Sequence, residues 1–172
     1  MANEIHNKII VAEAEMVFGT AFANIDSLPA GDLTWSDPLS AAAWDDAAWA
    51  EIFFQIKLGA TSPAGSVEFY WGRAGTNLRA AENASLTGSN TLTSSGVEAT
   101  AADVELMIAS LGGPVHLFGA NENASEIITG AFKVFNPGNG SQLYVYNNTD
   151  EALDGTSSPH KIYIRGFAPE VQ

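Results

Sequence analysis

The chain is built of short apolar runs whose period is close to two. The clearest spans 50–58, where Ile52, Phe54, Ile56 and Leu58 share one face and Glu51, Phe53, Gln55 and Lys57 the other. Strict alternation over such a window predicts a strand with one buried face. Residues 59–65, which include Pro63, read as a hairpin loop, and Val67, Phe69 and Trp71 then alternate with Glu68, Tyr70 and Gly72. These two strands are expected to pair antiparallel, with Trp71 buried. Ile9 to Phe22 also alternates, Glu13 and Glu15 opposing Ala12, Ala14, Met16 and Phe18, and predicts a long first strand. Ile127, Ile128, Phe132 and Val134 predict a strand entering the Asn136-Pro137-Gly138-Asn139-Gly140 turn. Leu143 and Val145, alternating with Tyr144 and Tyr146, complete a second expected hairpin. The last strand runs from His160 to Phe167, Ile162 and Ile164 opposing Lys161, Tyr163 and Arg165, and stops near Pro169.

Between these runs, 75–96 is rich in Asn, Thr, Ser and Ala and reads as a long surface loop or as edge strands joined by turns. The Thr100-Ala101-Ala102-Asp103 pattern has the form of a capping box ahead of Val104, Leu106, Met107 and Ile108. It permits one short helix near 101–110 ending at Gly112 and Gly113, with a strand through Val104, Leu106 and Ile108 as the alternative. Many short strands without a βαβ rhythm, and no long internal repeat, give an all-β fold: a single antiparallel β-sandwich, with jelly-roll topology preferred. An immunoglobulin-like sandwich would lack its usual Cys-Trp-Cys signature, since the chain has no cysteine. Residues 1–8 are expected to be a flexible arm that orders only on contact with a partner, and 9–172 to be the single domain.

Charge narrows the function. Seven Lys and Arg stand against 20 Asp and Glu, a formal charge of −13, while charged residues make up only 16% of the 172. Phosphate contact needs clustered cations, so nucleic acid is excluded as a partner. The lack of cysteine removes disulfides, thiol nucleophiles and thiolate metal sites. The apolar run Ile9-Ile10-Val11 ends at acids, so neither a secretory core nor a membrane span is expected. The expectation is a chain that begins near Met1 and is made in a cytoplasm. The sequons at Asn83, Asn123, Asn139 and Asn147 are then chance occurrences in an Asn-, Ser- and Thr-rich chain.

No catalytic, metal or cofactor set emerges. His6, His116 and His160 lie far apart, without the spacing that offers two nitrogens to one metal, and are read as a tail residue, a strand start and a turn residue. Gly-x-Ser-x-Gly, phosphate-loop and dinucleotide glycine motifs are missing from the sequence. Asp45, Asp46 and Glu51 form one acidic group, and Asp150, Glu151 and Asp154 form another. The second is the better calcium candidate, though its spacing fits a solvated loop better than an EF-hand. Trp35 and Trp44 sit in the loop-like stretch 29–46, where an aromatic either packs locally or anchors a partner, a sugar among them.

The stretch Phe53 to Trp71, the segments His116-Leu117-Phe118-Gly119 and Gly130-Ala131-Phe132-Lys133-Val134, and Leu143-Tyr144-Val145-Tyr146-Asn147-Asn148-Thr149 together resemble small virion proteins of tailed bacteriophages. The likeness rests on strand pattern and turn composition from residue 50 to the end. It implies a non-enzymatic β-sandwich or jelly-roll module at the virion surface that decorates or cements a head by binding the major capsid protein or other virion proteins. It also implies self-association, with a trimer as the expected form. The residues assigned to partner contact are Ile5, Ile9, Trp35, Trp44 and Trp49. A carbohydrate- or receptor-binding module of a tail or fibre is the competing expectation.

Overall fold

The computed structural model describes residues 5–19, 22–61, 63–73, 95–120 and 124–171. Among these residues nine strands form two antiparallel sheets: β1 (Ile5–Glu15), β2 (Leu33–Trp35), β3 (Trp49–Lys57), β4 (Gly65–Arg73), β5 (Gly96–Glu98), β6 (His116–Gly119), β7 (Ile127–Phe135), β8 (Ser141–Thr149) and β9 (Lys161–Val171). One sheet has the order β1-β9-β3-β7 and the other β5-β2-β8-β4-β6. Setting aside the three-residue β5, this is two interlocked Greek keys, the jelly roll, and the all-β sandwich expected from the sequence is present.

The pairing departs from expectation at both predicted hairpins. β3 pairs with β7 and β9, and β4 with β6 and β8, so the loop at 58–64 carries the chain from one sheet to the other. β7 and β8 likewise lie in opposite sheets, joined by the 136–140 turn. Left-handed backbone at Asn136, Gly138 and Gly140 folds that turn sharply enough to cross between layers. Alternation and turn residues announce a reversal of direction, but a reversal between layers satisfies them as well as one within a sheet.

Alternation on β3 survives intact: Ala50, Ile52, Phe54 and Ile56 are buried while the odd-numbered residues are half-buried. They meet Val67, Phe69, Leu143, Val145, Ile162 and Ile164 in the main core. The first strand is shorter at its end than predicted and longer at its start. β1 stops at Glu15, and Met16, Phe18, Phe22, Ile25 and Leu28 then close one end of the core through turns. Residues 5–8 of the expected arm pair with 168–171 in β9. β9 itself continues through Pro169, where β1 is its one remaining neighbour, because β3 pairing ends at Phe167.

The segment after Thr100 is a helix, α1 (Ala101–Leu111), ended by Gly112 in the left-handed region. Thr100 is its N-cap residue but makes no side-chain capping bond, so the capping box marks the start without forming. Val104 and Met107, with Ile108 and Leu111, cover Leu33, Trp35, Tyr70 and Tyr144 on the outer face of the second sheet. That cover explains why β8 is buried on both faces from Ser141 to Val145 rather than alternating. Most of 75–96 lies outside the described residues; Gly96 opens β5.

Candidate interaction face

The outer face of the β1-β9-β3-β7 sheet has no such cover among the described residues. Register places Ile9 opposite Phe167, Phe167 opposite Trp49, and Trp49 opposite Phe135, so one row of apolar side chains crosses all four strands. At its centre Trp49 stacks on Phe167 at 4.0 Å and 7°, and Phe167 is itself buried, at 8% exposure. It is open at its ends: Ile9 is 52% exposed and Phe135 71%. The next row is charged. Glu51 lies opposite Arg165 and Lys133, and Arg165 donates to Glu51 Oε2 through Nη2 at 2.6 Å and Nε at 3.1 Å. Lys133 Nζ sits 4.4 Å above the Trp49 ring, and the Arg165 guanidinium lies 4.6 Å from Phe53. The third row brings Phe53 beside Tyr163 and Ala131.

Four of the seven Lys and Arg residues, Lys57, Lys133, Lys161 and Arg165, belong to the outward-alternating positions of these strands. In a chain carrying −13 these strands thus hold most of the cations, two of them paired: Lys57 with Asp154 and Arg165 with Glu51.

The residues assigned to partner contact separate into three groups. Ile9 and Trp49 belong to the open row. Ile5 is at the start of β1, its backbone opposite Val171. Trp35 and Trp44 are corrections to the exposed-aromatic reading, at 5% and 4% exposure. Trp35 packs under α1 beside Tyr144, and Trp44 closes the main core over Gly166. Their neighbourhood of acids and glycines signals a loop, yet aromatics of that size are held where they bury most surface. The residues the sequence reading missed are Phe167, Phe135, Lys133 and Arg165. Their signal was the alternation of β9 and β7, and without the pairing order it could not be assembled into a row.

Asp45 and the second acidic group act as loop clamps, while Glu51 belongs to the charged row on β3. Asp150 Oδ1 accepts from the Ala64 amide at 2.8 Å and Glu151 Oε2 from the Thr61 amide at 3.1 Å. Asp154 accepts from the Thr156 amide at 2.6 Å and pairs with Lys57 at 2.9 Å. The Lys57 ammonium and the Thr156 donors hold its carboxyl at about 2, well under the usual carboxylate range. Asp45 accepts from the Asn139 amide at 2.7 Å. Among the described residues no three His, Asp or Glu side chains are grouped to hold a metal ion.

His6 lies in β1 rather than in a tail. His116 opens β6 and stacks on Phe132 at 5.0 Å, and desolvation there lowers its pKa. His160 is fully buried, with Nδ1 accepting from the Lys57 amide at 3.3 Å and Nε2 within 2.5 Å of the Asp154 carbonyl. Desolvation pulls its pKa down against the raising effect of the Asp154 carbonyl, Asp26 and Asp154. Beneath α1's edge, burial acts to raise Glu68, but donors on Tyr70, Asn148 and Ser66 outweigh it and hold the carboxylate ionised.

No family model matches the chain, and no curated protein matches it. Among solved structures it is similar to a chain of the giant freshwater prawn Macrobrachium rosenbergii nodavirus semi-empty VLP, at TM-score 0.36 and 10% identity, over 99% of this chain and 94% of that one. It is similar in the same degree to a chain of Mud crab tombus-like virus, at TM-score 0.35 and 10% identity, over 100% of this chain and 92% of that one. The jelly roll is established by this chain's own strand order, and the open face by its own register.

Proposed function

We propose that this chain is a non-enzymatic structural protein of a virus particle, of the decoration or cement type, and that it attaches to the outside of the shell through the open face of the β1-β9-β3-β7 sheet. One observation carries the reading: the chain covers the outer face of one sheet with its own helix, while among the described residues nothing covers the other, whose apolar row is exposed at Ile9 and Phe135 and half-buried at Trp49. Four strands of this length present roughly 550 Å² to a partner, or about 1,100 Å² counted on both sides, just past the threshold for a specific contact. Many copies multiply a modest energy per site. The −13 charge supports an outer position, where the acidic surface faces away from packaged nucleic acid.

The test adds purified chain to particles prepared without it and measures co-sedimentation. Ile9→Ser and Phe135→Ser are each expected to weaken attachment about tenfold, since each removes an apolar side chain that binding would bury. Leu117→Ser, as exposed as Ile9 at 54% but on β6 of the other sheet, is expected to leave attachment unchanged. Equal loss in all three variants, or saturable binding of the isolated chain on a glycan array without attachment to particles, sinks the reading.

A further inference from the structure

We infer that β7 pairs edge to edge with β7 of a second copy of this chain, across a two-fold axis near Ala131, and so joins two four-stranded sheets into one of eight. β7 pairs with β3 over nine residues without a register shift, and among the described residues no strand pairs with its second edge. The other sheet edges are blunted in the ways proteins ordinarily use. β1 is broken by two register shifts and carries Lys8, Glu13 and Glu15; β5 has three residues and β6 four. β7 is nine residues long, contains neither proline nor acid, and has Lys133 as its single charge.

The strand is also complementary to itself. An antiparallel pairing centred on Ala131 sets Ile127 against the partner's Phe135, and Phe135 against the partner's Ile127. These are the two exposed large apolar residues of the strand, at 53% and 71%. In the same register Thr129 faces the partner's Lys133, so no like charges meet. In a chain carrying −13, neither copy's β7 contributes an acid to this contact. The shared edge is about 30 Å long, at the small end of specific interfaces, so the dimer is a concentration-dependent one in the micromolar range. This two-fold arrangement takes the place of the trimer expected from the sequence. It runs along the edge of the sheet, whereas attachment to a shell uses the face; Phe135 belongs to both, so Ile9→Ser is the variant that tests attachment alone.

The chain has no cysteine, so a single introduced one reports on the contact without background. Ala131→Cys is exposed, and the proposed axis brings the two copies' Cα atoms within the 4.4–6.8 Å that a disulfide spans. Under mild oxidation at micromolar concentration it is expected to give a disulfide-linked dimer at least tenfold faster than Ala109→Cys, at an exposed position of α1. Sedimentation velocity on the cysteine-free chain supplies the second reading. Thr129→Lys is expected to weaken the dimer roughly fivefold by facing the partner's Lys133, and Thr129→Glu to strengthen it by a similar factor. A monomer at all concentrations, a trimer in which Ala131→Cys crosslinks no faster than the control, or equal effects of the two Thr129 variants would overturn the inference.

Discussion

Gly130 offers the sharpest check on how the two layers are wedged together. It lies opposite Phe54 in the β3/β7 register, and the ring folds over it: a Cβ at position 130 would stand 2.7 Å from Phe54 Cζ and 2.8 Å from Cε1. The ring has nowhere to go, because Phe69 lies 4.8 Å away, His116 5.4 Å and Phe118 5.5 Å. In an ordinary strand, replacing glycine by alanine stabilises by about 0.5–1 kcal/mol through lost backbone entropy. Forcing a methyl into a packed aromatic cluster costs about 1–3 kcal/mol. The second effect exceeds the first, so Gly130→Ala is expected to destabilise by roughly 1–2 kcal/mol in urea unfolding, with an unchanged m-value. In a Phe54→Leu background the blocking ring is gone, and the same substitution should be neutral or stabilising, an interaction energy of about 1–3 kcal/mol in the double-mutant cycle. Gly130→Ala as stable as the parent, or strict additivity of the two changes, would refute this account of the core.

His160 gives a pH dependence. Its folded pKa lies below the usual 6.5, so the stability it contributes is complete above that value and declines as pH falls from it toward the lower folded pKa. The slope approaches about 1.4 kcal/mol per pH unit. Thermal unfolding between pH 7.5 and 5 should show the decline, and His160→Gln should flatten it while lowering stability at pH 7.5. Asn147 is fully buried and donates to the Leu28 and Glu151 carbonyls at 2.9 and 2.7 Å, so Asn147→Ala should lose about 2–4 kcal/mol in chemical denaturation. Met107→Ala should cost about 2–3 kcal/mol and shift Trp35 fluorescence to the red, because it thins the cover over the second sheet.

What the sequence made legible is local. The strand of 50–58, those through Ile127 to Val134 and Leu143 to Tyr146, and the last from His160 to Phe167 follow from alternation of residue types, although β8 is buried on both faces, and the helix near 101–110 was one of two readings its apolar spacing allowed. Partner choice is not local. Seven residues from Leu58 to Ala64 bridge two sheets as readily as two neighbouring strands, and nothing in their identity distinguishes the cases. The site was half legible for the same reason. Ile9 and Trp49 were assigned to partner contact, but Phe167 and Phe135 join them only through pairings of high sequence separation. Trp44 misled because its surroundings of Asp45, Asp46 and alanines are those of an exposed turn, while its ring is drawn inward over Gly166.

The two outer faces differ in a way that bears on what each is for. The face under α1 carries Leu33, Trp35, Tyr70 and Tyr144 in adjoining positions, and without the helix it would be an apolar patch of the sort that aggregates. The open face interrupts its aromatics with charge at every second row. Glu51 and Arg165 neutralise one another there, and Lys133 rests its ammonium on Trp49. The Lys133 contact is exposed and the Glu51–Arg165 pair half-buried, each worth about 1 kcal/mol, so they keep the face soluble without fixing it. A partner that covers the row can displace Lys133 from the ring and gain the stacked aromatic surface beneath it. A face built only for solvent has no use for Trp49 stacked on Phe167, and one built only for the core would not carry Lys133 and Arg165. The combination is that of a surface which is stable alone and still has apolar area to bury on contact.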